Sequence, residues 1–242
     1  INRASLVLSR QNQARANWIS GVSHDIRTPL SVIMGYAGRI AGNEQADQTV
    51  RNQAKIMETQ SVKIKELVQD LNLVSQLEYE MQPLHKEPVR LSRLLRSCAA
   101  ELLNGGLSEN YTLEIDIAPE TEYTLLEGDA RLLSRAVTNL AQNSVNHNPQ
   151  GCDIRLSLRS ADGLVSLTVA DNGMGMTREK LRELEKNPHY MESTDDRLDL
   201  RHGLGLLLAR QIAKAHKGTM EIDAAPGEGF RVTLTFREVS HL

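Results

Sequence analysis

WISGVSHDIRTPLSVIMGYAGRI, from Trp18 to Ile40, sets apolar or small residues at Ile19, Val22, Ile26, Leu30, Ile33, Ala37 and Ile40. Steps of three and four mark the seam of a packed α-helix. The pattern begins at Ala14, breaks at the polar Gly42 to Gln45 stretch, and resumes with Val50, Ala54, Met57, Ser61, Ile64, Val68 and Leu71 before ending near Met81. Two antiparallel helices are predicted. A lone hairpin leaves such stripes wet, and their heptad-like spacing suits a four-helix bundle of two hairpins. A homodimer is therefore expected; the alternative is a hairpin packed on the chain's own second domain.

Downstream, Pro83 and Pro88 end the helical pattern and place a boundary there. The expected domains are residues 1–85 and 86–242, with the Pro83 to Pro88 stretch as a hinge. The second domain reads as a helix at Leu91 to Leu103, a strand at Tyr111 to Ile117 and a helix from Asp129 to His147. Strands from Ile154 and Leu164 follow as a hairpin about Asp162 and Gly163, then a short helix near Thr177 to Leu184. A helix from Gly203 to His216 and strands from Thr219 and Phe230 complete it. The fold class is multidomain: an all-α hairpin, then an α+β sandwich with helices over one sheet. Charged, aperiodic Lys186 to Arg201 reads as a mobile loop, placed as a lid before a glycine pair.

The 242 residues suit two modest domains, and 40% apolar with 24% charged residues describes an ordinary folding chain. A net charge of -3 gives no electrostatic case for direct nucleic-acid binding. Cys98 and Cys152 lack CxxC spacing and read as reduced packing residues. No run of about 18 apolar residues marks a membrane span. A chain starting at Ile1 reads as a soluble piece of something longer.

His24 lies two positions from Val22 and Ile26, roughly 200° from each around the helix, so it faces away from the seam. A neutral imidazole is a nucleophile near neutral pH, and Asp25 can hold its tautomer or take its proton. Thr28 follows one turn later on the same face, where its hydroxyl could place a water. Pro29 removes a helical hydrogen bond near Asp25 and should bend the helix there. Asn139 and Asn143 are one turn apart, a spacing able to offer an oxygen to magnesium and a donor to phosphates. Asp171 ends an apolar strand, and Gly173 and Gly175 after it let backbone approach a flat ligand whose exocyclic amine the carboxylate accepts. Gly203 and Gly205 open a helix whose free amides favour phosphate. Taken singly, each has a plainer reading: surface histidine, polar helix face, tight turn, chance glycines. Together and in this order they point to a phosphorylatable histidine and a nucleotide pocket on one chain.

The chain resembles the cytoplasmic catalytic core of bacterial two-component sensor histidine kinases over nearly its whole length. HDIRTPL at His24 to Leu30 is similar to the family's H box, NLAQNSVNH at Asn139 to His147 to its N box, and DNGMGM at Asp171 to Met176 to its first glycine box. HGLGLLLA from His202 is similar to the second glycine box, and GEG at Gly227 to Gly229 more weakly to a third. The resemblance implies a dimerisation and phosphotransfer hairpin, then an ATP-binding domain of the Bergerat type. It implies that His24 takes the γ-phosphoryl group, that Asp25 assists as base, and that Thr28 serves phosphatase activity towards a response regulator. It further implies ATP and Mg2+ as cofactors, with Asn143 on the metal. Asp171, Gly173, Gly175 and Met176 would surround the base, while Asn139, Asn146, Arg201, Gly203, Leu204, Gly205 and Leu206 would lie about the phosphates.

Asn146 replaces the family's usual Lys or Arg, Arg201 stands where a glycine is usual, and a phenylalanine is missing before the second glycine box. His189, Tyr190 and Met191 are its nearest substitutes, with Arg197 or Arg201 as the compensating charge. Slow autophosphorylation is expected. The alternatives are a nucleotide-binding module that works mainly as a regulator phosphatase and a plain ATPase, the latter leaving HDIRTPL unexplained. The resemblance implies a receiver domain as partner and an inner-membrane sensor anchored before Ile1, with this part in the cytoplasm.

Overall fold

The computed structural model describes residues 3–79, 83–186 and 200–238, with side chains over 18–79, 83–183 and 204–238. It divides into two compact units, Ile1–Gln82 and Pro83–Leu242.

The first unit is a hairpin of α1 (Arg3–Ala41) and α2 (Gln48–Glu78). Asp47 caps α2, its carboxylate accepting the Thr49 N–H at 2.7 Å, and so satisfies one of the amides a helix start leaves open. α1 continues through Pro29. The helices bury Ser23, Leu30 and Ala37 from α1 and Ala54 and Ser61 from the first half of α2, with Leu73, Val74, Ser75 and Leu77 buried towards the end of α2. The larger apolar residues of the same stripes stay outside. Ile26, Ile33 and Ile40 on α1, and Val50, Met57, Ile64 and Leu71 on α2, recur at sevens and are exposed, Ile33 at 51% and Met57 at 59%.

The second unit runs β1 (Glu87–Arg90), α3 (Leu91–Asn104), β2 (Thr112–Ile117), β3 (Leu125–Gly128), α4 (Ala130–His147), β4 (Asp153–Ala161), β5 (Leu164–Asp171), α5 (Arg178–Lys186), α6 (Leu200–Ala215), β6 (Thr219–Ala225) and β7 (Gly229–Arg237). Its main sheet has the order β2-β4-β5-β7-β6, with β2 parallel to β4 and every other pair antiparallel. α4 and α6 pack together and, with α3, cover one sheet face. Alternation supplies the core: Ile154, Leu156 and Leu158, then Val165, Leu167 and Val169, then Val232, Leu234 and Phe236 meet Leu133 and Val137 of α4 and Leu208 and Ile212 of α6. The opposite face carries Ser166 and Thr168, whose hydroxyls meet those of Thr235 and Thr233 at 3.3 and 3.0 Å. β4 and β5 join through a two-residue turn at Asp162 and Gly163, both at positive φ, the geometry that matches strand twist.

Two features differ from the sequence reading. β1 and β3 form a two-stranded antiparallel ribbon in which Pro88 pairs with Glu127, so the last two residues of the expected hinge, Glu87 and Pro88, are strand. The His85 N–H is also held, donating to the Asp129 carboxylate at 3.2 Å. α6 begins at Leu200 rather than Gly203, because a glycine near a helix start costs too little to terminate it. Most of the Lys186 to Arg201 segment, with His189, Tyr190, Met191 and Arg197, lies outside the described residues. Among the described residues no helix is long and apolar enough to cross a membrane.

Candidate functional site

Two sets of chemistry-bearing residues stand on the two units. On α1, His24 is exposed, and its Nδ1 lies 3.4 Å from Asp25 Oδ1. The contact occupies Nδ1 and leaves Nε2 open to solvent. Thr28 is exposed one turn further along the helix.

In the second unit the site grows from the end of α4 and the end of β5. Asp129 starts α4 by accepting the N–H groups of Arg131 and Leu132 at 3.1 and 3.2 Å, and the helix then carries Asn139, Asn143 and Asn146 along one side. Asn146 is exposed and accepts from Gln142 Nε2 at 3.3 Å, while Asn139 is half-buried. The Asn143 Nδ2 is buried without a hydrogen-bond partner. Gly205 of α6 lies against it: a Cβ there would stand 3.1 Å from that nitrogen. With α6 starting at Leu200, Gly205 lies in its second turn; the orphaned Nδ2 beside it is a donor that a phosphate oxygen can use, and the amide oxygen of the same side chain is the ligand type magnesium takes. The donor set fits a magnesium nucleotide.

Asp171 closes β5 between Ile154 and Phe230. Its Oδ2 accepts the Ser144 hydroxyl at 2.6 Å, and its Oδ1 accepts the Gly173 N–H at 3.0 Å and Asn148 Nδ2 at 3.4 Å. Oδ1 is filled by its two donors, while Oδ2, with one, keeps lone-pair capacity for a further donor. Gly175, at φ 65°, tucks under the β6–β7 turn, where a Cβ would fall 1.9 Å from the Ala225 carbonyl oxygen. Gly229 reciprocates: its Cβ would fall 1.8 Å from the Asp171 carbonyl oxygen. Gly227 N–H donates to the Met174 carbonyl at 2.8 Å, so the first and third glycine motifs form one interlocked pair of turns. Met176 is half-buried beside them. Arg201 and Gly203 fall in the first turn of α6, with the Arg201 side chain outside the described set; Leu204 is half-buried and Leu206 buried.

The model of the His Kinase A (phospho-acceptor) domain matches residues 14–80, and that of the histidine kinase-, DNA gyrase B- and HSP90-like ATPases matches residues 128–240. The chain belongs to the sensor histidine kinases. This kinase core is 28% identical to the sensor histidine kinase YvrG of Bacillus subtilis, over 93% of the core and 38% of YvrG. It is 29% identical to the phosphate regulon sensor protein PhoR of Pseudomonas aeruginosa, over 97% of the core and 54% of PhoR. The core thus spans about half the length of these relatives or less. In fold it is similar to full-length ShkA, solved in complex with AMPPNP (TM-score 0.73, 22% identity, 93% of the core and 46% of ShkA), and to the histidine kinase AdeS of Acinetobacter baumannii (0.61, 19%, 90% and 98%). The ATPase-type domain carries ATP binding into this kinase core.

Ser144 and Asn148 escaped the sequence reading. Asn148 stands five positions after Asn143, off the helical period, and follows the helix as its C-cap. Only the fold brings it under β5.

Proposed function

We propose that this core autophosphorylates His24 with ATP and passes the phosphoryl group to an aspartate on the receiver domain of a response regulator. The observation that carries this reading is an exposed His24, with Nε2 open, on the same chain as the Asn143 and Asp171 site. Asp171 accepts the exocyclic amine of adenine. Gly203 to Leu206 of α6, with Asn139, Asn146 and Arg201, border the phosphates, and Asn143 would hold magnesium, which would supply positive charge against the negative phosphates.

The Nε2 lone pair of neutral His24 forms a bond to the γ-phosphorus as the bond to the β,γ-bridging oxygen breaks and ADP leaves. Asp25 accepts or shares the Nδ1 proton, which offsets the positive charge on the ring. Such a transfer is mostly positioning and charge neutralisation, so the ATP-binding unit must deliver its γ-phosphate to α1. The segment before β1 is the natural place for that movement. Thr28 orients a water in the reverse, phosphatase direction.

The exposed heptad rows of α1 and α2 support a homodimer through a four-helix bundle. A membrane-anchored sensor with this core in the cytoplasm is the parent this reading fits, and fractionation of the full-length protein tests it.

Incubation with γ-labelled ATP and magnesium, beside His24→Gln, tests the kinase reading. Acid-labile, base-stable label on the wild type alone is the expected result. Measurable ATP binding with no label on either protein would sink it.

A further inference from the structure

We propose that Ser144 and Asn148 are positioning residues that pin the Asp171 carboxylate and thereby set its selectivity for a 6-amino over a 6-oxo purine. The inference rests on the reading of Asp171 as the group that meets the base.

Asn148 is buried, and every polar atom of its side chain is engaged. Its Nδ2 donates to the Ser144 carbonyl at 2.8 Å and reaches Asp171 Oδ1 at 3.4 Å, while its Oδ1 accepts the Met174 N–H at 2.9 Å. Its backbone carbonyl accepts the Tyr111 hydroxyl at 2.8 Å and the Gly151 N–H at 2.9 Å. One side chain therefore ties the end of α4, the base-reading carboxylate and the turn after β5. The fit is tight, since a Cβ on Gly173 would lie 2.0 Å from Asn148 Oδ1. Ser144 completes the clamp with its 2.6 Å bond to Oδ2, the short length of a hydroxyl donating to a charged oxygen.

The chemistry follows from what is left free. Three donors from the protein hold the carboxylate in one orientation, and its one remaining lone pair, on Oδ2, accepts an amine and repels a carbonyl oxygen. A carboxylate able to swing could instead meet the two donors on the Watson–Crick edge of guanine. Fixed orientation, more than the presence of Asp171, is what rejects the 6-oxo base, as a buried polar group left unpaired by the wrong ligand imposes the penalty.

Calorimetric titration of ATP and GTP tests this with the wild-type core, Asp171→Asn, Ser144→Ala and Asn148→Asp. Asn148→Asp keeps the acceptor for Met174 and removes the donor but adds a charge beside Asp171, so Ser144→Ala, which adds none, is the deciding variant. General damage weakens both nucleotides alike and leaves their ratio unchanged; lost positioning moves the ratio. We expect the ATP-to-GTP affinity ratio to fall about tenfold in each clamp variant. Should Asn148→Asp fail to fold, Ser144→Ala alone decides. An unchanged ratio in folded clamp variants, with a ratio that collapses in Asp171→Asn, would overturn the positioning role and leave Asp171 as base reader. A ratio that Asp171→Asn does not move would remove the base-reading role itself, and the clamp with it.

Discussion

His216 Nε2 accepts the backbone N–H of Asp129 at 2.9 Å, and Nδ1 of the same ring donates to the Ile212 carbonyl at 2.7 Å. The two bonds demand the neutral ring with its proton on Nδ1. Burial, opposed by the Ile212 bond and the Asp129 charge and aided by Lys86, holds its pKa below the usual 6.5. Below pH 6.5 the unfolded chain binds a proton that the folded chain refuses, so stability falls as pH falls through that window. Melting temperature should drop between pH 7 and 5.5, with a shallower slope in His216→Gln. That variant should also lose about 1–3 kcal/mol, the penalty for a buried unpaired Asp129 amide, read by chemical denaturation at pH 7.5.

Two of the glycines at positive φ, Gly163 and Gly175, make a contrasting pair. Gly163 has nothing within 4 Å of its missing Cβ, so Gly163→Ala should cost only left-handed strain, about 1 kcal/mol. Gly175→Ala adds collision with the Ala225 carbonyl and should cost on the order of 3 kcal/mol together with ATP affinity. Denaturation midpoints of the two variants check the ordering.

Charge on the exposed heptad rows should dissolve the proposed bundle. Ile33→Asp with Met57→Asp places carboxylates at the positions that a partner hairpin would cover. Sedimentation should show a monomer for the double variant and a dimer for the wild type, while ATP binding by the second unit persists.

Both thiols should be inert in the folded protein. Burial raises Cys98, and burial with the nearby Asp171 charge pushes Cys152 up to about 11. Neither is then a thiolate at pH 8. A thiol-reactive dye should label both cysteines only after denaturant is added.

Periodicity revealed the long helices because each buries a single stripe, and β4, β5 and β7 because alternation survives when one face is covered. The β1–β3 ribbon was invisible for the opposite reason: each strand has four residues, too few for a period, and Pro88 argues against a strand. The parts of the site that are linear motifs, such as Asp171 with its glycines, were legible. Ser144 and Asn148 were not, since their contacts with Asp171 cross 27 and 23 residues of sequence and exist only once α4 lies against β5. The open Asn143 amide was likewise a product of α6 settling beside it.

The β4–β5 turn has a practical use. Ile154 opposite Asp171 marks one end of that hairpin and Ala161 opposite Leu164 the other, which sets the Asp162–Gly163 turn roughly 25 Å from Asp171. A fluorophore or a small inserted domain could be grafted there without disturbing ligand binding, whereas the β6–β7 turn, locked against Gly175, would tolerate neither.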